Sequence, residues 1–205
     1  SNPLLMQTGC KIFASHIKFI KSGYHNRLPQ IINSQALMHN VLTYLCNALM
    51  VQGARVEASR AMQIACSALE TELGNRDAMS HLVNILMQAI EKGMPSEGRK
   101  NLVDVLIRVG LSIKDTSTSK ICFDSIINPF VNDLKTKLQK YSAVGANTEH
   151  AVDLINEISN NLAILYAGVK HLDRLSSRKT QQIAGTFVQT IWPILIGLIK
   201  NLFNY

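Results

Sequence analysis

A chain of 205 residues, 47% hydrophobic and 6% aromatic, is long enough to bury a sizeable core and too poor in proline (5) and glycine (11) for a disordered or collagen-like polymer. Its longest apolar run, Ile191–Ile199, is interrupted by Pro193 and Gly197 and falls short of the roughly 18 residues of a bilayer span, so membrane insertion is not expected. The formal charge of +7 is spread thinly: residues 1–27 hold Lys11, Lys18, Lys21 and Arg27 without an acid, but no block is dense enough for direct nucleic-acid binding, and aromatic residues do not interleave with the basic ones.

In chain order, apolar periodicity predicts eight helices and no strand, over 4–22, 35–52, 55–73, 77–92, 95–114, 118–142, 149–172 and 181–203. Ser34 is placed to cap the second helix and Thr148 the seventh, and Pro95 sits where a first-turn proline is tolerated. Gly53, Gly74 and Gly93 follow their helices, where a residue able to take positive φ is expected. Ala58, Ala61, Ala65 and Ala68 give the third helix a small-residue face that lets a neighbour approach closely. In the fifth, Leu102, Leu106, Val109 and Ile113 draw the buried stripe, and Lys100, Asp104 and Arg108 are expected to face away. In the seventh, Ala151, Ile155, Ile158, Leu162, Leu165, Val169 and Leu172 form the stripe, with Glu149, Asp153 and Glu157 opposite. Pro193 lies inside the eighth and is expected to kink it, and Trp192 beside it is expected in the core.

No one of these helices can bury its stripe alone, and the connections are short, so antiparallel neighbours follow. "NPFVNDL" from Asn128 aligns with "WPILIGL" from Trp192, and "NVLTYLCNAL" from Asn40 resembles both without the proline. First helices of a pair would then start near 34, 76, 118 and 181, the first two intervals being about 42 residues, inside the 40–47 of HEAT-type repeats. The fold expected is all-α, a HEAT-repeat α-solenoid. Its parts are 1–2 as a tag remnant, 3–30 as the second helix of a truncated repeat, 31–75, 76–115 and 116–175 as helix pairs, and 176–205 as the first helix of a further truncated repeat. An excised fragment is expected, with no signal peptide.

The stretches "HLDRL" (171–175), "VQTIWPIL" (188–195), "VEASRAMQIACSAL" (56–69), "PSEGRKNLVDVLIRVGLSI" (95–113) and "INSQALMHNVLTYLCNAL" (32–49) resemble, in order and spacing, the transportin-SR and importin-thirteen branch of the importin-β (karyopherin-β) superfamily. That resemblance implies a nuclear transport receptor that shuttles between nucleus and cytoplasm. Such a receptor holds protein cargo on its inner helices, touches FG-repeat nucleoporins on its outer ones, and answers to the GTPase Ran mainly through N-terminal repeats. A HEAT scaffold or regulatory subunit of a non-transport complex is the alternative.

Catalytic signals are lacking. His16, His25, His39, His81, His150 and His171 show no HExxH spacing, and there is no GxSxG or phosphate-binding glycine loop. Cys10, Cys46, Cys66 and Cys122 are too widely spaced for a zinc site or a disulfide framework and read as reduced core thiols. No enzyme, cofactor or metal is expected. The residues singled out for binding protein are the acidic ladder Glu149, Asp153 and Glu157 with Asn160 and Asn161 beyond it, suited to a basic segment, and Lys11, Lys18 and Lys21 on the first helix, suited to an acidic one.

Overall fold

A computed structural model of the chain describes residues 2–25, 34–73, 76–144 and 149–203, and among them every regular element is helical. Within those spans the side chains of 18–25, 34–36, 38, 71–72, 76–80, 144, 149, 174, 177, 186 and 201–203 are not described. The α-helices are α1 (Pro3–His25), α2 (Ser34–Leu49), α3 (Arg55–Ala68), α4 (Glu70–Leu73), α5 (Arg76–Glu91), α6 (Ser96–Ser112), α7 (Thr116–Val144), α8 (Glu149–Val169) and α9 (Ser177–Phe203). Short 3-10 turns at Gln52–Ala54 and Leu172–Arg174 join α2 to α3 and α8 to α9.

The third predicted helix divides in two. Leu69, at φ −111° and ψ 18°, leaves the helical region and buries its side chain, and the chain re-enters a single turn as α4. Pro95 precedes α6 and its carbonyl accepts the Arg99 amide at 2.9 Å, so it stands at the cap one residue ahead of the first-turn site expected. Gly93 has φ 84° and closes α5 as a C-terminal glycine should. Gly53 differs: it lies within the 3-10 turn, away from positive φ, where a Cβ would come within 2.9 Å of Pro3 Cβ. Close approach is the reason for glycine there. The caps expected from the Ser34 side chain and from Thr148, and the role given to Gly74, lie outside the described residues.

Two compact units make up the chain, Ser1–Ser112 and Ile113–Tyr205. In the first, α3 packs between α1 and α6, α2 packs on α3 and touches α1 and α5, and α5 packs on α6. The helices thus form two rows, α1–α3–α6 and α2–α5. Small residues favour the first row: Ala58, Ala61 and Ala65 of α3 are buried, and so is Gly98 of α6, where a Cβ would lie 3.6 Å from Ser59 Oγ of α3. Leu102 and Leu106 are fully buried, each contributing about 1.5–3 kcal/mol of apolar transfer. From Leu102 to Leu111 every residue but Arg108 is buried, and Arg108 is half-buried, so Asp104 and Arg108 do not face away as their place opposite the leucine stripe implied. A helix with neighbours on more than one side buries its polar face too.

In the second unit α7 is central, and α8 and α9 both pack on it. Phe123, Ile126, Ile127, Phe130, Val131 and Leu134 of α7 are buried, and Phe123 meets Phe187 of α9 edge to face with centroids 5.9 Å apart. The buried line on α8 runs Ala151, Leu154, Ile158, Asn161 and Leu165, rotated from the expected one, and Ile155 is left 42% exposed. Asp115 begins α7 with a side-chain cap, its Oδ2 accepting the Thr118 amide at 2.7 Å.

Pro129 and Pro193 lie inside α7 and α9, the two neighbours whose sequences align there, and both prolines are exposed. A bend of 58° separates Arg178–Gly185 from Phe187–Lys200 in α9. It falls between Gly185 and Phe187, about two turns ahead of Pro193, rather than at the proline as the sequence implied. Trp192 is 61% exposed, so it is not a core residue. Among the described residues no single helix is long and apolar enough to cross a membrane; only the two halves of α9 taken together reach that length and composition.

Candidate protein-binding surfaces

Polar side chains of α6 join it to α3, and at the last rung to the first residue of α4, in a ladder. Asn101 Nδ2 donates to Ser59 Oγ at 3.1 Å, Gln63 Nε2 to Asp104 Oδ2 at 2.7 Å, Arg108 Nη1 to Ser67 Oγ at 2.5 Å, and Ser112 Oγ to the Glu70 carbonyl at 3.0 Å. Partners are 42, 41, 41 and 42 residues apart, so the two helices run parallel in constant register. Asp104 is 1% exposed and lies 3.9 Å from Arg108 Nη2, so the buried carboxylate has a hydrogen bond and a cation beside it. At the exposed end, Arg60 bridges Glu97 (2.5 Å) and Glu57 (3.3 Å). The single-helix reading missed these residues. Laying α3 over α6 at an offset of 41–42 would have found them, because the polar positions coincide.

On α8 the expected acidic strip is present in part. Asp153, Glu157 and Asn160 are exposed, while the Glu149 side chain lies outside the described residues. Glu157 Oε2 is 3.4 Å from Lys137 Nζ of α7, which also holds Asp133 at 2.6 Å, so part of the strip's charge is already balanced. Asn161 does not extend the polar face. It is 4% exposed and donates Nδ2 to Asp133 Oδ2 at 2.8 Å and to the Phe130 carbonyl at 3.3 Å. One helical step from Asn160 takes the side chain under the α7–α8 contact, where an amide that can satisfy a backbone carbonyl is tolerated. On α1, Lys11 is exposed, and the side chains of Lys18 and Lys21 lie outside the described residues.

Two apolar surfaces lie on the first and last helices. Leu4, Leu5 and Ile12 of α1 are 69%, 70% and 53% exposed. On α9, Val188, Trp192, Ile196 and Ile199 form an exposed line.

Among the described residues no group of three His, Cys, Asp or Glu side chains could hold a metal ion. His16 Nδ1 lies 2.8 Å from Ser15 Oγ and 2.9 Å from the Ile12 carbonyl, a local helix contact. All four cysteines are free thiols. Burial pushes the Cys10 and Cys46 thiols up to about 11, and burial, with Cys46 nearby, pushes Cys66 up to about 12. Protonated thiols of this kind are poor nucleophiles at neutral pH.

These elements define an all-α protein, every regular element among the described residues being helical. Comparison of the chain with protein-family models, with curated proteins and with solved structures gives no match.

Proposed function

We propose that the chain is a non-enzymatic protein-binding scaffold of the HEAT-repeat α-solenoid kind, and that it serves as part of a nuclear import receptor carrying protein cargo through the nuclear pore under Ran control. The observation that carries the repeat reading is the α3–α6 ladder: parallel helices one unit apart, in register at 41–42 residues, are what stacking of two-helix repeats of about 40–47 residues produces. The row arrangement supports the same reading, with α2 and α5 as first helices and α3 and α6 as second helices of successive pairs. The transport role rests on the resemblance of 32–49, 56–69, 95–113, 171–175 and 188–195 to the transportin-SR and importin-thirteen branch. On this reading cargo contacts come from second helices such as α8, through Asp153, Glu157 and Asn160, and the receptor shuttles between nucleus and cytoplasm.

The test is a pull-down from the whole parent protein with GTP-loaded Ran and with FG-repeat peptides. Capture of both supports the transport role. Capture of neither overturns it and leaves a scaffold of a non-transport complex.

A further inference from the structure

Lys179, in the first turn of α9, donates its Nζ to the carbonyl of Ile113 at 2.8 Å, across 66 residues of chain. Ile113, Lys114 and Asp115 are the whole link between α6 and α7, and the second compact unit begins with them. Ile113 is buried, Asp115 accepts the Thr118 amide at 2.7 Å, and Lys114 between them is exposed. A link carbonyl beside the core has no donor in a helical ladder and needs one from elsewhere. The lysine that supplies it stands on a fixed base. Its own amide donates to Ser176 Oγ at 3.4 Å, the Thr180 amide to the Ser176 carbonyl at 2.9 Å, and Thr180 Oγ1 to the Leu172 carbonyl at 3.0 Å. Only side-chain freedom is then lost when the ammonium reaches the link. Burial draws the Lys179 pKa below its ordinary value of 10.5, and the Asp115 carboxylate opposes that shift, so both ends of the link attract the ammonium.

We propose that Lys179 is a strap on the α6–α7 link. Closed, it holds residues 113–115 to the first turn of α9; open, it leaves the Lys114–Asp115 peptide bond free to enter a protease. A hydrogen bond from a charged donor is stronger than a neutral one, so its loss shifts a local opening equilibrium by about tenfold or more. It is still one bond, far weaker than a packed core, so the link opens while the helices around it stay folded. Arg178, its neighbour in the same turn, is exposed and has no part in the strap. The inference stands on contacts within the second unit, independently of what the chain binds.

The test is limited digestion of the whole chain with a protease that cleaves after lysine, at low enzyme concentration so that cleavage follows the open population. Cutting after Lys114 gives fragments 1–114 and 115–205, which mass spectrometry separates from all others. Lys92, exposed at the end of α5 in the first unit, is the internal reference. Lys179→Met keeps the aliphatic stem and removes the ammonium, and Lys179→Gln is a second variant too short to reach the link. Both should raise the ratio of Lys114 to Lys92 cleavage by about tenfold or more over wild type. Arg178→Met should leave the ratio unchanged. An unchanged ratio in both Lys179 variants, a rise of Lys92 cleavage in step with Lys114 in both, or an equal rise in Arg178→Met would each overturn the proposal.

Discussion

Gln63 of α3 donates its side-chain amide to Oδ2 of Asp104 on α6 across 2.7 Å, and the two residues are 41 positions apart. Asp104 is buried, and Arg108 one turn on, 15% exposed at its side chain, leans toward the same oxygen at 3.9 Å. Arg108 Nε is itself buried without a hydrogen-bond partner. Asp104→Ala would strip the guanidinium of its nearby counter-charge and leave Gln63 unsatisfied. The expected loss in urea unfolding is about 2–4 kcal/mol. Asp104→Asn, which keeps an acceptor for Gln63, should lose less. No loss with either variant would show that the ladder has no energetic role, and equal losses would show that the charge beside Arg108, not the acceptor for Gln63, carries it.

Gly9 of α1 and Gly185 of α9 should respond to alanine with opposite sign. A Cβ at Gly9 would come 2.2 Å from the Tyr44 hydroxyl, which donates to the Met6 carbonyl at 3.3 Å while its ring meets Phe13 edge to face. Gly9→Ala must push this ring out of its α1–α2 contact, at about 1–3 kcal/mol. At Gly185 a Cβ meets nothing within 4 Å. Gly185→Ala removes backbone freedom from the unfolded chain and should raise stability by about 0.5–1 kcal/mol. Thermal unfolding of the two variants decides both signs.

Asp115 ties stability to acid pH. Hydrogen bonds from the Thr118 hydroxyl and amide hold its carboxyl below its ordinary value of 3.8. A carboxyl with a lowered folded pKa contributes stability that is present above the unfolded value and is lost as pH falls through the folded one. The urea midpoint of the wild-type chain should therefore drop further than that of Asp115→Asn once the pH goes below about 4. Parallel curves would mean that the cap has no ionic component.

The thiols give a fourth expectation. Cys10 and Cys66 are fully buried, and Cys10, Cys46 and Cys66 all have pKa values raised to about 11 or 12. With a disulfide reagent at pH 8 these three should react slowly in the native chain, leaving at most Cys122 for a fast phase, and all four should react in denaturant. A fast phase of two or more thiols would show that the α2–α3 core opens readily.

Much of the fold could be read in the residues. Each of the eight expected helices overlaps an observed one, because apolar spacing, glycine and proline act over a few neighbouring positions. The "NPFVNDL" and "WPILIGL" likeness picked out α7 and α9, which pack on each other. The candidate site was less legible. Asp153, Glu157 and Asn160 are on the surface as expected, but Asn161 is buried against the Phe130 carbonyl, and Lys137 already neutralises part of the strip. Helical spacing shows which residues share a face; it does not show how many faces a neighbour will cover.

What the sequence by itself determined was the helical state of the described residues and the approximate extent of each helix, since both follow from backbone preference and short-range periodicity; the break at Leu69 and the bend ahead of Phe187 were not among its signals. The tertiary structure alone decided which side of each helix meets water. Asp104 and Arg108 go inward because α3 supplies Gln63 and Ser67 to meet them, and Trp192 stays outward because α7 covers only the adjoining side of α9. Burial depends on the number and placement of neighbouring helices, and those neighbours come from positions some forty residues away.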